Sequence, residues 1–415
     1  MKKKVLIINQ FANTPDLPGH TRQFELAKGL QKKGWLIDVF ASDFNLSERR
    51  FKKLKKFELF KCENFQKINW IWLRVHPYKR NNIYRYINIF SFCFNILFIL
   101  FFKIIEEKYI NKNKLIIIAS SPQLPASFIC LLIAKIFDVP FLSEIRDLWP
   151  QVLIDLGGKS RKSFLIRFLF WIEKIIYSCS EHVIVLAKGS IKYVKKKGAK
   201  KVSYLPNGSD LNHFKFRKLI PEKHKFDNDR PFKLVYYGSH GEANALDCII
   251  EAAKLLQKKP IKFILIGDGP KKIELLKNSI NLKNINFLPP IPKEEMPKFI
   301  SKADAILLTL KDIPLFKYAV SPNKLYDAYA IGRPVITNIG GDIGKEIEKY
   351  KIGFNAKSEN GDSLAKAIIN LMNLSRLERE DMSKRARSLA ENKYSREIIV
   401  SKYNDILNKY ISQNS

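Results

Sequence analysis

The strongest constraint on what this chain can fold into is an alternation. Short apolar runs at Val5–Ile8, Leu36–Ala41, Trp70–Val75, Leu115–Ala119, Phe141–Ile145, Val183–Leu186 and Val202–Leu205 are separated by stretches of helical spacing, such as Arg22–Lys33, Gln123–Phe137 and Arg161–Ser178. Runs without an alternate polar residue predict strands buried on both faces, as in a parallel sheet layered with helices. The pattern breaks at Pro206-Asn207-Gly208, crosses the polar stretch Lys215–Arg230, and restarts. The second series has strands predicted at Lys233–Tyr237, Lys262–Ile266, Ile285–Leu288, Asp304–Leu308 and Pro334–Thr337. Helices are predicted near Ala245–Lys258, Lys271–Ser279 and Asn323–Ile331. Two tandem βαβ series predict an α/β protein of two doubly wound, Rossmann-like domains facing across a cleft. The predicted parts are a domain over 1–210, a linker over 211–230, a second domain over 231–393 and a helix over 394–415 packing back on the first domain. At 415 residues each domain is long enough to bury its own core.

Charge narrows the partners. Lys and Arg number 73 against 40 Asp and Glu, a net +33, of which residues 1–200 carry +21 and residues 201–415 carry +12. Such a field attracts nucleic acid, anionic lipid head groups or phosphorylated small molecules. The chain has no recognised nucleic-acid module and its lysines are spread through the sequence, so nucleic acid is not the expected partner. The five cysteines, Cys62, Cys93, Cys130, Cys179 and Cys248, show no metal-type spacing and fit a reducing compartment. Behind Lys2-Lys3-Lys4, the run Val5–Ile8 is shorter than the roughly 7–15 apolar residues of a signal peptide, so a buried strand is expected there. Ile87–Ile105 is the one membrane-like segment, interrupted by Asn88, Ser91, Asn95 and Lys103.

In a doubly wound sheet, ligands bind at the carboxyl ends of the strands. The loop after the first strand, Asn13 to Arg22, contains Gly19 and His20 and opens a helix, which suits a phosphate or sugar; an ordinary strand-to-helix turn accounts for it equally. The fifth run ends in Ser143-Glu144-Ile145-Arg146-Asp147-Leu148-Trp149-Pro150, three ionisable groups and a tryptophan that form either a site edge or a surface ion-pair cluster. Tyr237 is followed by Gly238-Ser239-His240-Gly241, whose glycines open backbone N–H groups to a phosphate. Gly267-Asp268-Gly269-Pro270 ends the next strand, as a second contact loop or a tight turn. The most specific stretch is Ser321-Pro322-Asn323-Lys324-Leu325-Tyr326-Asp327, where Ser-Pro starts a helix and Lys324 and Asp327 share a face, placed to hold a diphosphate and ribose hydroxyls respectively.

SPNKLYDAYAIGRPVI, with SEIRDLWP and LPNGSD, resembles the retaining glycosyltransferases of family 4, of GT-B fold, and within them the subgroup making bacterial O-antigen, capsule and colanic-acid-type polysaccharides. The resemblance implies transfer of a sugar, expected to be an acetamido sugar, from a UDP-linked donor with retention. Ser321, Pro322, Asn323, Lys324 and Asp327 would then bind the donor with Gly19, Gly238, Ser239, His240, Gly241, Gly267 and Asp268. His20, Arg146 and Asp147 would form the reacting side, and Arg22, Glu144 and Trp149 the acceptor side. Three departures from the family stand out: Ala319 lies eight before Asp327, where a second carboxylate is usual, Asp327 is itself shorter than the family's glutamate, and Arg146 replaces a common histidine. An epimerase or a soluble-acceptor transferase of the same fold is the alternative. No metal or cofactor is expected, since Asp227-Asn228-Asp229 lies in the linker rather than at a strand end. Tyr84–Lys108 reads as one long helix, rich in Phe and Ile, inserted between two strands of the first domain. Its apolar excess and the basic flanks predict a peripheral protein on the inner face of the cytoplasmic membrane, meeting a polyprenyl-diphosphate-linked saccharide.

Overall fold

The computed structural model describes residues 2–17, 21–45, 49–51, 53–79, 83–219 and 231–413. The chain divides into two units, Met1–Pro206 with Val400–Ser415, and Asn207–Ile399. The first boundary therefore falls four residues before the one read from the sequence. The return to the first unit comes at Val400, inside the helix Arg396–Gln413.

The first unit is built on an eight-stranded sheet. In space the strands run Val202–Tyr204, His182–Val185, Phe141–Ile145, Lys114–Ser120, Lys3–Ile8, Leu36–Ser42, Ile68–Leu73 and Phe60–Phe65. All pairs are parallel except the last, and the order of connection reverses between Lys3–Ile8 and Lys114–Ser120. The strands between the two edges are largely buried on both faces, in keeping with their apolar, mainly Val, Ile, Leu and Phe, composition. Phe60–Phe65 differs. It is a largely exposed edge strand, folded onto Ile68–Leu73 through Gln66 and Lys67, both at positive φ. A two-residue hairpin loop demands that geometry, and it is usually announced by Asn-Gly, which is missing here.

Ile83–Ile105 is a helix, continued by one wider turn over Glu106–Ile110, and it connects two strands of this sheet. Its polar residues face inward. Asn88 is buried, accepts from Gln10 Nε2 (2.8 Å) and donates to the His76 carbonyl (2.6 Å). Asn95 donates to the Arg74 carbonyl (2.5 Å), and the Ser91 hydroxyl accepts from the His76 N–H (2.9 Å). Lys103 pairs with Glu107 (2.9 Å), which also holds Lys4 (2.6 Å). The residues that interrupt the apolar run thus bind the helix to its own domain, while Phe90, Phe94, Phe98 and Phe102 point outward, three of them more than 60% exposed. By length and composition this helix could cross a membrane, but its connection to adjoining strands and its buried polar contacts place it on the sheet. Lys103 and Lys108 are correspondingly not a basic fringe, because Lys108 donates to the Phe137 carbonyl.

The second unit has a six-stranded, wholly parallel sheet in the spatial order Ile285–Leu288, Ile261–Ile266, Phe232–Tyr237, Ala305–Leu308, Val335–Thr337, Gly353–Asn355. Its order reverses between Phe232–Tyr237 and Ala305–Leu308, so a ligand crevice belongs beyond the carboxyl ends of those two strands. Helices Gly361–Asn373, Arg376–Leu389 and Arg396–Gln413 close the chain, the second started by a complete Ser375/Glu378 capping box. The helix Gly341–Tyr350 and the strand Gly353–Asn355 have no counterpart in the sequence reading. The strand is only three residues long and half-buried, too short to show a periodicity.

Candidate functional site

The crevice of the second unit is lined by two glycine loops and the helix Asn323–Ile331. Gly238 follows the strand Phe232–Tyr237 at φ +129°, and a Cβ there would lie 2.7 Å from Lys324 Cε and 2.9 Å from its Nζ. Glycine is needed because the lysine side chain crosses directly over the loop. Gly267 and Gly269, also at positive φ, are needed for a different reason. Side chains there would strike the Gly238 carbonyl at 1.9 Å and the His240 backbone at 2.6 Å. The loops are stitched backbone to backbone: Gly238 N–H to Ile266 O (2.9 Å), His240 N–H to Asp268 O (2.8 Å), Lys271 N–H to His240 O (2.9 Å). The Asp268 carboxylate accepts from Gly269 N–H (2.8 Å). Gly267 and Asp268 therefore shape the 238–241 loop from beneath. Among the described residues, the N–H groups of Ser239 and Gly241 are the ones this loop does not spend on itself.

Lys324 is half-buried with its Nζ 4.0 Å from the centre of the Tyr236 ring, and no described residue pairs with it. Burial alone brings its pKa down to about 7. It stands in the first turn of its helix, whose N-cap, Pro322, supplies no side-chain cap, so the helix's positive end is uncompensated. An anion here would satisfy both the lysine and the helix terminus. Ser321 and Pro322 set the entry: the Ser321 carbonyl accepts from Asn207 Nδ2 (2.6 Å), its hydroxyl meets Tyr326 OH (2.9 Å), and Asn323 is exposed.

Asp327, three residues on, is buried and accepts from the Ser209 hydroxyl (2.7 Å). Burial pushes its carboxyl up, opposed by Ser209 and by the charges of Lys293, Arg396 and His213. Lys324 and Asp327 therefore serve different neighbours. His240 is fully buried between Tyr236 and Phe287, and neither ring nitrogen reaches a described partner in hydrogen-bond geometry. Burial, Lys272 and Lys324 bring its pKa down to about 4, against Asp268 and the nearby Ile266 carbonyl, so it is neutral at physiological pH.

In the first unit the candidates gather at one sheet edge, with Glu144 at the centre and already occupied. It accepts from Arg22 Nη2 (2.9 Å) and Tyr403 OH (3.0 Å) on one oxygen, and from Ser120 Oγ (2.8 Å) on the other. Burial works to raise its pKa, but Arg22, with Arg146 and the Ser120 hydroxyl, prevails and holds it below the usual value. Glu144 and Arg22 thus form an anchor joining the sheet edge, the helix Arg22–Gln31 and the last helix. Tyr403 carries no sequence signal of this role, since a buried tyrosine in a C-terminal helix reads as core. Arg146 is half-buried and Asp147 exposed, with both backbone N–H groups directed at Ser121 Oγ (2.8 and 3.4 Å); Trp149 is half-buried beside them. Gly19, His20, Asp227 and Asp229 lie outside the described residues. Among those described, no group of three or more His, Cys, Asp or Glu could hold a metal ion.

Residues 216–389 match the family described as glycosyl transferases group 1. The chain is 22% identical to the probable glycosyltransferase WbjE of Pseudomonas aeruginosa, over 62% of this chain and 66% of that protein. It is 25% identical to the putative colanic acid biosynthesis glycosyl transferase WcaI of Escherichia coli K12, over 48% of this chain and 51% of that one. The chain thus spans about half to two thirds of the curated relatives it matches. The fold is similar throughout to sucrose-phosphate synthase of Thermosynechococcus elongatus (TM-score 0.75, 16% identity, 99% of this chain and 100% of that one). It is likewise similar to HepE of Anabaena in complex with UDP and glucose (TM-score 0.68, 14% identity, 98% and 100%). The two doubly wound units are those of the GT-B fold.

Proposed function

This chain carries a glycosyl transferases group 1 domain over residues 216–389, and from that premise we propose that it transfers a sugar from a UDP-linked donor in bacterial surface polysaccharide synthesis. The observation that carries the reading is Lys324: a cation with no counter-ion among the described residues, in the first turn of a helix, over a glycine loop at the point where the sheet order reverses. The relatives' names favour saccharide chemistry, and HepE's complex favours UDP. Lys324, the Asn323 helix terminus and the Ser239 and Gly241 N–H groups take the donor diphosphate, and Asp327 the ribose. Gly267 and Asp268 support that loop.

The transfer is retaining and moves an acetamido sugar, readings that rest on the family resemblance of SPNKLYDAYAIGRPVI. As the anomeric carbon–oxygen bond to the diphosphate breaks, negative charge gathers on the leaving oxygen. Lys324 and the helix terminus stabilise it without a metal. The acceptor hydroxyl attacks the same face and passes its proton to that leaving oxygen, so no protein nucleophile is needed. His20, Arg146, Asp147 and Trp149 are the proposed reacting and acceptor-side residues. Arg22 and Glu144 position that edge rather than touch the acceptor, since their hydrogen-bonding capacity is committed to each other and to their neighbours.

The acceptor is a polyprenyl-diphosphate-linked saccharide, met at the cytoplasmic face of a membrane. What supports this is the outward apolar face of Ile83–Ile105 and its continuation over two neighbouring helices. Leu124–Ile136 packs beside it and exposes Leu132 and Ile136. Phe164–Cys179 packs next and carries the row Phe164, Phe168 and Trp171, with exposed Arg161, Lys162, Arg167 and Lys174 alongside. Apolar faces with basic borders suit an anionic leaflet. The test is incubation with a panel of UDP-sugars and a polyprenyl-diphosphate sugar, read by mass spectrometry. An acceptor heavier by one sugar is expected. Failure of UDP to bind, measured by calorimetry, overturns the reading.

A further inference from the structure

Away from the glycine loops, the second unit holds a groove of about 650 Å³ between the segment Asn212–Lys218 and the residues from Pro297 to Lys302. That volume is in the range of small-molecule sites, about 300–1,000 Å³. Of its nine lining residues five are permanent cations, Lys215, Arg217, Lys218, Lys298 and Lys302, where 73 Lys and Arg in 415 residues would supply about two. His213 adds a sixth nitrogen base, and none of the described residues lining the groove is a carboxylate. All five cations are exposed, and none is paired with a described residue. Elsewhere the chain neutralises many of its lysines, as at Lys271, Lys311 and Lys317.

The two walls are held at a fixed spacing from below. The fully buried Arg333 donates from Nη1 to the Arg217 carbonyl (2.6 Å), and from Nη2 to the carbonyls of Lys218 (3.2 Å) and Ser301 (2.5 Å). Its guanidinium thus clamps the strand-like wall to the end of the helical one. Phe214, buried between them, has its carbonyl held by Arg387 Nη1 (3.0 Å). Keeping five like charges together costs free energy that these clamps sustain, and a bound anion would relieve it. We propose that this groove is a second anion site, distinct from the donor crevice, for a ligand with two or more closely spaced phosphate groups. A planar guanidinium flanked by ammonium groups recognises phosphate oxygens by charge and by paired hydrogen bonds. Such a ligand is either a soluble polyphosphate or the bisphosphate head group of a cardiolipin-type phospholipid.

The test titrates inorganic tripolyphosphate into the full chain with UDP at saturation, and compares wild type with a quadruple variant, Arg217→Gln, Lys218→Gln, Lys298→Gln and Lys302→Gln. Because these side chains are exposed, the variant should melt at the wild-type temperature and bind UDP unchanged. One tripolyphosphate site should persist in the wild type under UDP, and the variant should bind it about tenfold or more weakly. A parallel arm measures binding to vesicles of cardiolipin against phosphatidylcholine. Loss in the variant confined to tripolyphosphate identifies a soluble ligand, and loss that includes the anionic vesicles identifies the lipid head group. Unchanged binding of both by the variant, or full displacement of tripolyphosphate by UDP in the wild type, overturns the proposal. If UDP itself fails to bind, the donor reading falls while the tripolyphosphate comparison still decides this one.

Discussion

Lys324 shows how one residue gathers several physical effects. Its ammonium is desolvated, and because the free protein's pKa is about 7, roughly half the molecules lack the charge at neutral pH. A diphosphate binds the protonated form, so UDP affinity should fall as pH rises above about 7, with proton uptake on binding. Calorimetry in two buffers of different ionisation enthalpy reads that uptake, which should vanish in Lys324→Ala. The same variant should weaken UDP by roughly tenfold to a hundredfold, the worth of a charge-assisted contact; unchanged affinity in a folded variant removes Lys324 from the site. The unfolded chain holds more protons on this residue than the folded one, so its contribution to stability rises with pH from about 7 to its ordinary 10.5. Asp327 is a different case, with one oxygen already engaged by Ser209. Asp327→Asn keeps that acceptor, so it should chiefly raise the donor KM and spare kcat. Abolished turnover with a trappable sugar adduct at Asp327 would contradict the mechanism.

At the scale of the element, the helix Ile83–Ile105 buries Asn88 together with Phe92, Ile96, Leu100 and Ile104 and turns a second apolar face, Phe90, Phe94, Phe98 and Phe102, outward. A charged knot stands at its end. Burial works to raise the pKa of Glu107, but Lys4, Lys103 and Asn113 hold it down at about 2. Its folded value is depressed, so the stability it contributes is present above the unfolded value of 4.5 and is lost as pH falls from there toward 2. Glu107→Gln should therefore destabilise by about 1–2 kcal/mol at pH 7 after screening and flatten the acid limb of a stability profile, read by denaturant titrations at several pH values. The outward face predicts the opposite for its aromatics. Phe94→Gln with Phe102→Gln should leave the melting temperature unchanged, since both rings are exposed, while reducing sedimentation with anionic vesicles. Vesicle binding equal to wild type would favour a soluble acceptor.

Across the whole molecule, transfer should survive EDTA, because a lysine and a helix terminus serve where a metal would; full loss restored by Mg²⁺ or Mn²⁺ would point back to Asp227 and Asp229. The positions of most strands along the chain were legible from the amino acids because burial leaves apolar runs, so the strands Phe141–Ile145 and Ile285–Leu288 lie where the residues predict them, as does the helix Asn323–Ile331. Phe60–Phe65 and Gly353–Asn355 left no such mark, one being an exposed edge and the other too short. The grouping of Ser321, Pro322, Lys324 and Asp327, proposed as donor contacts, was legible too, since they stand within one helix start and local spacing alone puts them together. What the sequence by itself determined is therefore what depends on near neighbours: element type, the tandem α/β architecture and the lysine at a helix terminus. Only tertiary structure decided that Glu144 is an anchor, because its partners Arg22, Ser120 and Tyr403 come from remote parts of the chain. It also decided that Gly267 serves another loop, that Asn88 and Lys103 face inward, and that five scattered cations share one groove. Those outcomes depend on which distant groups meet, and hydrogen bonds and charges act over a few ångströms in space whatever their separation along the chain.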